Sequence, residues 1–130
     1  MEKLTLNNPL KKALILLEVL ILTYHNLDDE ENKILSENAV LLNAEEELEW
    51  AKEFIYEDFP TSIKRSREYL FENLQETSDD DKFFILKEVW ATAEKKGFVT
   101  ELEAMTMLKI ASDWGLVNKL LALARSKSST

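Results

Sequence analysis

His25-Asn26-Leu27-Asp28-Asp29-Glu30-Glu31 and Lys96-Gly97-Phe98-Val99-Thr100-Glu101-Leu102-Glu103 are two versions of one junction, at a constant offset of 72 residues. In each, an apolar helix stops and an apolar residue follows, Leu27 or Val99. A capping residue, Asp28 or Thr100, then opens the next helix with a glutamate three positions on, Glu31 or Glu103. That spacing is the capping box, in which the cap side chain and the N3 carboxylate each accept the other residue's backbone N–H. Working outward at the same offset, Leu14 matches Leu86, Leu17 matches Val89, Leu35 matches Met107 and Ala39 matches Ala111. Beyond them Leu42 matches Trp114 and Asn43 matches Gly115. Apolar residues recur at helical spacing on both sides of each turn. The expected fold is all-α: a single compact bundle of about seven helices over residues 1–130, built from two similar helical hairpins at about 13–42 and 85–114. Two repeats are too few for a solenoid, which needs about three or more.

The remaining boundaries follow from breakers and caps. Asn8-Pro9 starts helix one, which runs to about Tyr24. Helix two covers about Asp29–Leu42. Asn43 with Glu46 reads as the cap of helix three, about Ala44–Asp58, with an inward stripe of Leu48, Ala51, Ile55 and Phe59. Pro60 enforces a break. Helix four, about Thr61–Gln75, turns Ile63, Leu70, Phe71 and Leu74 inward. Ser78 caps helix five, about Asp79–Lys95, and Gly97 ends it. Helix six covers about Glu101–Trp114 and helix seven about Leu116–Arg125, leaving Ser126–Thr130 to fray.

Composition narrows the function classes. The chain is 45% hydrophobic and 32% charged with two Gly and two Pro, the balance of a folded helical globule rather than a disordered chain. It has no cysteine, which excludes disulfides and thiolate chemistry. A net charge of −9 repels nucleic acid, so the expected partner is a protein with a basic face, a cation, or none. The run Ala13–Leu22 carries Glu18 in its middle and is about half the length that spans a bilayer. Thr23-Tyr24-His25 makes a poor signal-cleavage site, so the run reads as a buried helix of a cytoplasmic protein.

The chemistry-bearing residues are few. His25 is the single histidine, which removes serine- and cysteine-type triads and multi-histidine metal sites; at the end of helix one it reads as a donor to the last carbonyls. Two glycines cannot build a phosphate-binding loop. No enzyme is expected. Oxygen-rich clusters open three helices: Asp28-Asp29-Glu30-Glu31, Glu45-Glu46-Glu47 and Asp79-Asp80-Asp81. The helix dipole alone favours acids there. If a divalent cation binds, Asp28, Asp29 and Glu31 are the leading ligands. Lys64, Arg65 and Arg67, and again Lys119, Arg125 and Lys127, read as ordinary basic surface. The aromatics Trp50, Phe54, Tyr56, Phe59, Tyr69, Phe71, Phe83, Phe84 and Trp90 crowd mid-chain. Adjacent ones cannot all face inward, so apolar surface is expected between helices three, four and five, suited to a protein partner or a homodimer.

The second junction, Ala91-Thr92-Ala93-Glu94-Lys95-Lys96-Gly97-Phe98-Val99-Thr100-Glu101-Leu102-Glu103, followed by Leu108, Ala111 and Trp114-Gly115-Leu116, resembles the TerB-like domain of tellurite-resistance proteins. That pattern is a helix ending in Ala-Asp-Gly, an apolar residue, a Ser/Thr cap, an acid three positions on, and a closing Leu-Gly-Leu. The first junction resembles it more distantly. The resemblance implies an all-helical domain of duplicated hairpins acting in stress responses as a non-enzymatic interaction, scaffold or sensing module near membranes, with divalent metal as a candidate ligand. The chain departs where the family's acid before glycine is replaced by Lys96. Two further readings stay open: a divalent-cation-binding protein using its acidic helix N-termini, and an acidic, immunity-like neutraliser of a basic partner.

Overall fold

The computed structural model describes residues 8–23, 28–95 and 97–128. Among them are seven α-helices and no strand: α1 Asn8–Leu22, α2 Asp29–Leu41, α3 Glu45–Glu57, α4 Ser62–Asn73, α5 Asp79–Glu94, α6 Glu101–Trp114 and α7 Val117–Ser128. A 3-10 turn, Phe59–Thr61, joins α3 to α4 with Pro60 in it. None of these helices is long and apolar enough to cross a membrane.

The bundle is organised around α1. Every residue from Ala13 to Leu22 is buried, Glu18 included. A helix apolar on all sides must be surrounded, and α1 packs chiefly on α3 and α5, with α2, α4 and α6 completing the shell. The other helices are amphipathic and contribute stripes: Leu48, Ala51 and Ile55 from α3; Ile85, Leu86, Val89 and Ala93 from α5; Met107, Ile110, Ala111 and Trp114 from α6.

Both expected capping boxes are present. Asp28 Oδ1 accepts from Glu31 N–H at 2.7 Å, and Glu31 Oε1 accepts from Asp28 N–H at 3.3 Å. Thr100 Oγ1 accepts from Glu103 N–H at 3.1 Å, and Glu103 Oε1 accepts from Thr100 N–H at 2.8 Å. The helix ends match too. Ala44 N–H donates to Ala39 O at 2.7 Å and Asn43 N–H to Val40 O at 3.1 Å; Leu116 N–H donates to Ala111 O at 2.8 Å and Gly115 N–H to Ser112 O at 3.2 Å. Each is the paired hydrogen-bond pattern of a Schellman ending, on residues 72 positions apart.

Several expectations change. Asn43 does not cap α3: its φ is +55°, so it occupies the left-handed position that closes α2. The α3 N-cap is Ala44, with no side-chain cap bond. The two roles exclude each other, because an N-cap needs extended backbone. Phe59 leaves the inward stripe at 40% exposure; it sits in the 3-10 turn and stacks on Tyr56 with centroids 6.0 Å apart. Phe71 is 54% exposed. The buried stripe of α4 is instead Ser62, Ser66 and Leu70, two small residues letting it lie close to α1, and Phe71 is rotated about 100° from Leu70. Trp50, Phe54 and Tyr69 pack on one another between α3 and α4, with centroids 5.1–5.7 Å apart. α7 starts one residue later than expected and continues to Ser128, with Ser126 Oγ donating to Leu123 O at 2.9 Å. His25 and Lys96 lie outside the described residues.

Candidate functional site

Glu18 is the one charge in an otherwise apolar run, and its side chain is only 2% exposed. A buried carboxylate costs several kcal/mol unless its oxygens find donors. Helices α2 and α5 supply them. Thr92 Oγ1 donates to Glu18 Oε2 at 3.0 Å, and Asn38 Nδ2 reaches the same oxygen at 3.3 Å and Thr92 Oγ1 at 2.9 Å. Asn38 Oδ1 accepts from Lys95 Nζ at 2.9 Å. An ammonium can only donate, which sets the Asn38 amide with its oxygen toward Lys95 and its nitrogen toward Glu18. The network therefore runs from an interior carboxylate through two neutral side chains to an ammonium at the surface.

Burial pushes the Glu18 carboxyl from its ordinary 4.5 up to about 7. The hydrogen bonds from Thr92 and Asn38 and the charge of Lys95 pull it back down, while Glu88 pushes it up. Glu18 Oε1 is buried with no hydrogen-bond partner among the described residues, so the donors satisfy half of the carboxylate. The result is an interior group poised between charged and neutral near pH 7.

The outer end of the network opens on a shallow groove of about 510 Å³ lined by Ser36, Glu37, Asn38, Val40, Leu41 and Lys95. Val40 and Leu41, consecutive at the end of α2, are 55% and 54% exposed. Asn38 and Lys95 thus belong to both the groove wall and the network. A second hollow, of about 530 Å³, lies between α4 and α6 around Ile63, Lys64, Phe71 and Lys109.

Two of the other expected sites contain residues with structural contacts. In the acidic cluster, the Asp28 and Glu31 carboxylates serve the α2 capping box, and Asp29 is exposed in the first turn. Among the described residues no three carboxylate or imidazole groups gather as a metal cage. In the basic spot, Arg65 clamps the end of α3: Nη1 donates to Phe54 O at 2.8 Å, Nη2 to Asp58 O at 2.7 Å and Nε to Thr61 Oγ1 at 2.8 Å. It also lies over the Phe54 ring, 4.9 Å from its centroid. Arg67 makes a two-pronged pair with Asp113 at 2.7 and 2.8 Å.

The network was not among the sites expected from the sequence. Two signals of it were present: a glutamate inside a run buried on every side, and Asn38 within the apolar series Leu35, Ala39, Leu42. What was missing is that α1, α2 and α5 bring Glu18, Asn38 and Thr92 to one point. Compared with protein-family models, curated proteins and solved structures, the chain matches none.

Proposed function

We propose that this chain is a non-enzymatic interaction and sensing module, of the kind its TerB-like resemblance implies, which docks a protein partner on the groove between α2 and the end of α5. The observation that carries the reading is the pair Val40 and Leu41, consecutive apolar side chains more than half exposed on a helix that needed neither outside. The equivalent positions of the second hairpin are Ser112 and Asp113, so the hairpin design does not call for apolar residues there. Adjacent apolar side chains left in water beside a groove are the kind of surface a binding face uses. The reading carries with it a cytoplasmic setting, and peripheral rather than spanning contact wherever membranes are involved.

The test replaces Val40 and Leu41 together by glutamate. Both are exposed, so the variant is expected to keep the melting temperature of the parent within a degree or two. A photo-crosslinker placed at Ser36, on the rim, is then activated in native lysate. The expected result is a crosslinked protein, or a second copy of the chain, that the parent captures and the variant does not. An identical crosslinked set from both proteins removes the groove from the reading.

A further inference from the structure

We infer that α2 is a proton-latched flap: it stays docked on the bundle while Glu18 is neutral, and lifts from it more readily, the other helices staying in place, once Glu18 is charged. The inference goes beyond the docking reading and holds whatever the outer groove binds.

The geometry carries it. Two side chains donate to the one satisfied oxygen of Glu18: Thr92 Oγ1, from α5, at 3.0 Å and Asn38 Nδ2, from α2, at 3.3 Å. Asn38 also donates to Thr92 Oγ1 at 2.9 Å and lines the outer groove. It is therefore the α2 residue that stands between the buried carboxyl and the surface. The other oxygen, Oε1, is buried with no hydrogen-bond partner among the described residues. A carboxyl left so costs far less neutral than charged, since an anion out of water needs donors on both oxygens. With α2 lifted, water reaches Glu18 and supplies them. The docked chain thus favours the neutral group and the opened chain the charged one.

The helix that closes over Glu18 is also lightly anchored. Of the 13 residues of α2 the buried ones are Ile34, Leu35, Asn38 and Ala39, so two large apolar side chains hold it down. By contrast α6 buries Met107, Ile110 and Trp114 beside Ala111, and α5 buries Ile85, Leu86, Val89 and Trp90 beside Ala93. Elements with little buried apolar surface open at a lower free energy than the whole domain. The charges that act on Glu18 are Lys95, which favours the anion, and Glu88, which opposes it, from α5 and its C-terminal cap. From α2 the facing group is the neutral Asn38, and no charge of α3, α4 or α6 among the described residues acts on it.

The direction follows. Burial raises the docked Glu18 carboxyl from 4.5 to about 7. Between those values the opened chain has released a proton that the docked chain keeps, so opening becomes about tenfold easier with each pH unit. Below the window both forms hold the proton and above it both have lost it, so the equilibrium is flat at either end. If lifting α2 restores the ordinary acidity, the whole span is about 300-fold.

The test is amide hydrogen exchange of the whole chain, read by nuclear magnetic resonance from pH 5 to 8, each rate divided by the intrinsic rate at that pH. The amides from Leu35 to Ala39 are expected to be at least tenfold less protected than those of Ile110 and Ala111. Their protection is expected to fall about tenfold per pH unit from 5 to 7 and then to level off. In Glu18→Gln the α2 amides are expected to lose that slope while staying less protected than α6. Should that variant fold poorly, the parent decides alone. Equal protection of α2 and α6 at every pH means that α2 leaves only with the whole fold, and overturns the flap. So does an α2 that is less protected but shows no slope between pH 5 and 7, because it then lifts without admitting water to Glu18. A slope that survives in Glu18→Gln belongs to another group and overturns the latch.

Discussion

The two hairpins share their ends and differ in their filling. Asp28/Glu31 and Thr100/Glu103 start α2 and α6 with the same pair of bonds, and Asn43 and Gly115 end them with the same pair. Between those ends, polarity is exchanged. Inside, the first hairpin has Glu18 and Asn38 where the second has Trp90 and Ile110, all four buried. Outside, the first has the exposed Val40 and Leu41 where the second has Ser112 and Asp113, the latter paired with Arg67. At these four positions the second hairpin is apolar inside and polar outside, although elsewhere it buries Glu103 and Thr106 and exposes Leu102 and Met105; the first hairpin reverses the pattern at all four. Departures from local consistency of this kind concentrate at functional sites.

The largest effect tests the shared part. Leu14 and Leu86 match at the 72-residue offset and are both fully buried. Leu14→Ala and Leu86→Ala are each expected to cost roughly 3 to 5 kcal/mol, as core Leu→Ala changes do. Urea unfolding measures both, and a large inequality breaks the equivalence of α1 and α5.

The next tests the difference. A carboxyl whose proton is held more tightly in the folded state than in the unfolded one destabilises the fold on ionising. For Glu18 the window runs from about 4.5 to about 7. Across it stability falls as pH rises, because the folded chain keeps a proton that the unfolded chain has released. The total is roughly 3 kcal/mol, at about 1.4 kcal/mol for each pH unit of the window. Glu18→Gln does not titrate, so parent and variant melting temperatures are expected to diverge as pH rises from 5 to 8, the variant gaining. Parallel curves would mean that Glu18 is not the buried titrating group. Replacing Glu18 and Asn38 together by leucine, in imitation of the second hairpin, sharpens the same point: at pH 8 it is expected to match or exceed the parent, as apolar replacement of buried polar networks often does.

Smaller effects test the ends. Asp28→Ala and Thr100→Ala are each expected to cost about 1 kcal/mol by thermal melts. Glu103 is buried whereas Glu31 is partly exposed, so Glu103→Ala is expected to cost more than Glu31→Ala. Gly115→Ala, at φ +71° with open space for its Cβ, is expected to destabilise by about 1 kcal/mol through backbone strain alone. Smallest of all, Asn43→Gly relieves a side chain at φ +55° and is expected to stabilise by a few tenths of a kcal/mol.

Most of the fold could be read from the chain because its signals are local. Capping boxes, Pro60 and the Ala13–Leu22 run each act within a few residues, and α6 begins and ends at the expected residues. The misreadings fall where two local rules compete or where packing decides. Asn43 suits both a helix start and a left-handed helix end, and the backbone settled on the second. Phe71 and Leu70 are adjacent, and which one faces inward depends on Ser62 and Ser66 admitting α1. The candidate site was hidden for the same reason. Glu18, Asn38 and Thr92 lie 20 to 74 positions apart in pairwise separation, and only the docking of α2 and α5 on α1 makes them one network.

The burial of α1 on every side has a consequence for synthesis. Its partners α3 and α5 come later in the chain, and α5 ends at Glu94. At roughly 5–20 residues per second, the segment Leu14–Leu22 waits several seconds in the nascent chain before its chief neighbours exist. The helix most protected in the finished protein is thus the one most exposed to wrong partners while the protein is being made. Ribosome-bound chains stopped before and after α5 should differ sharply in how fast a protease cuts within α1.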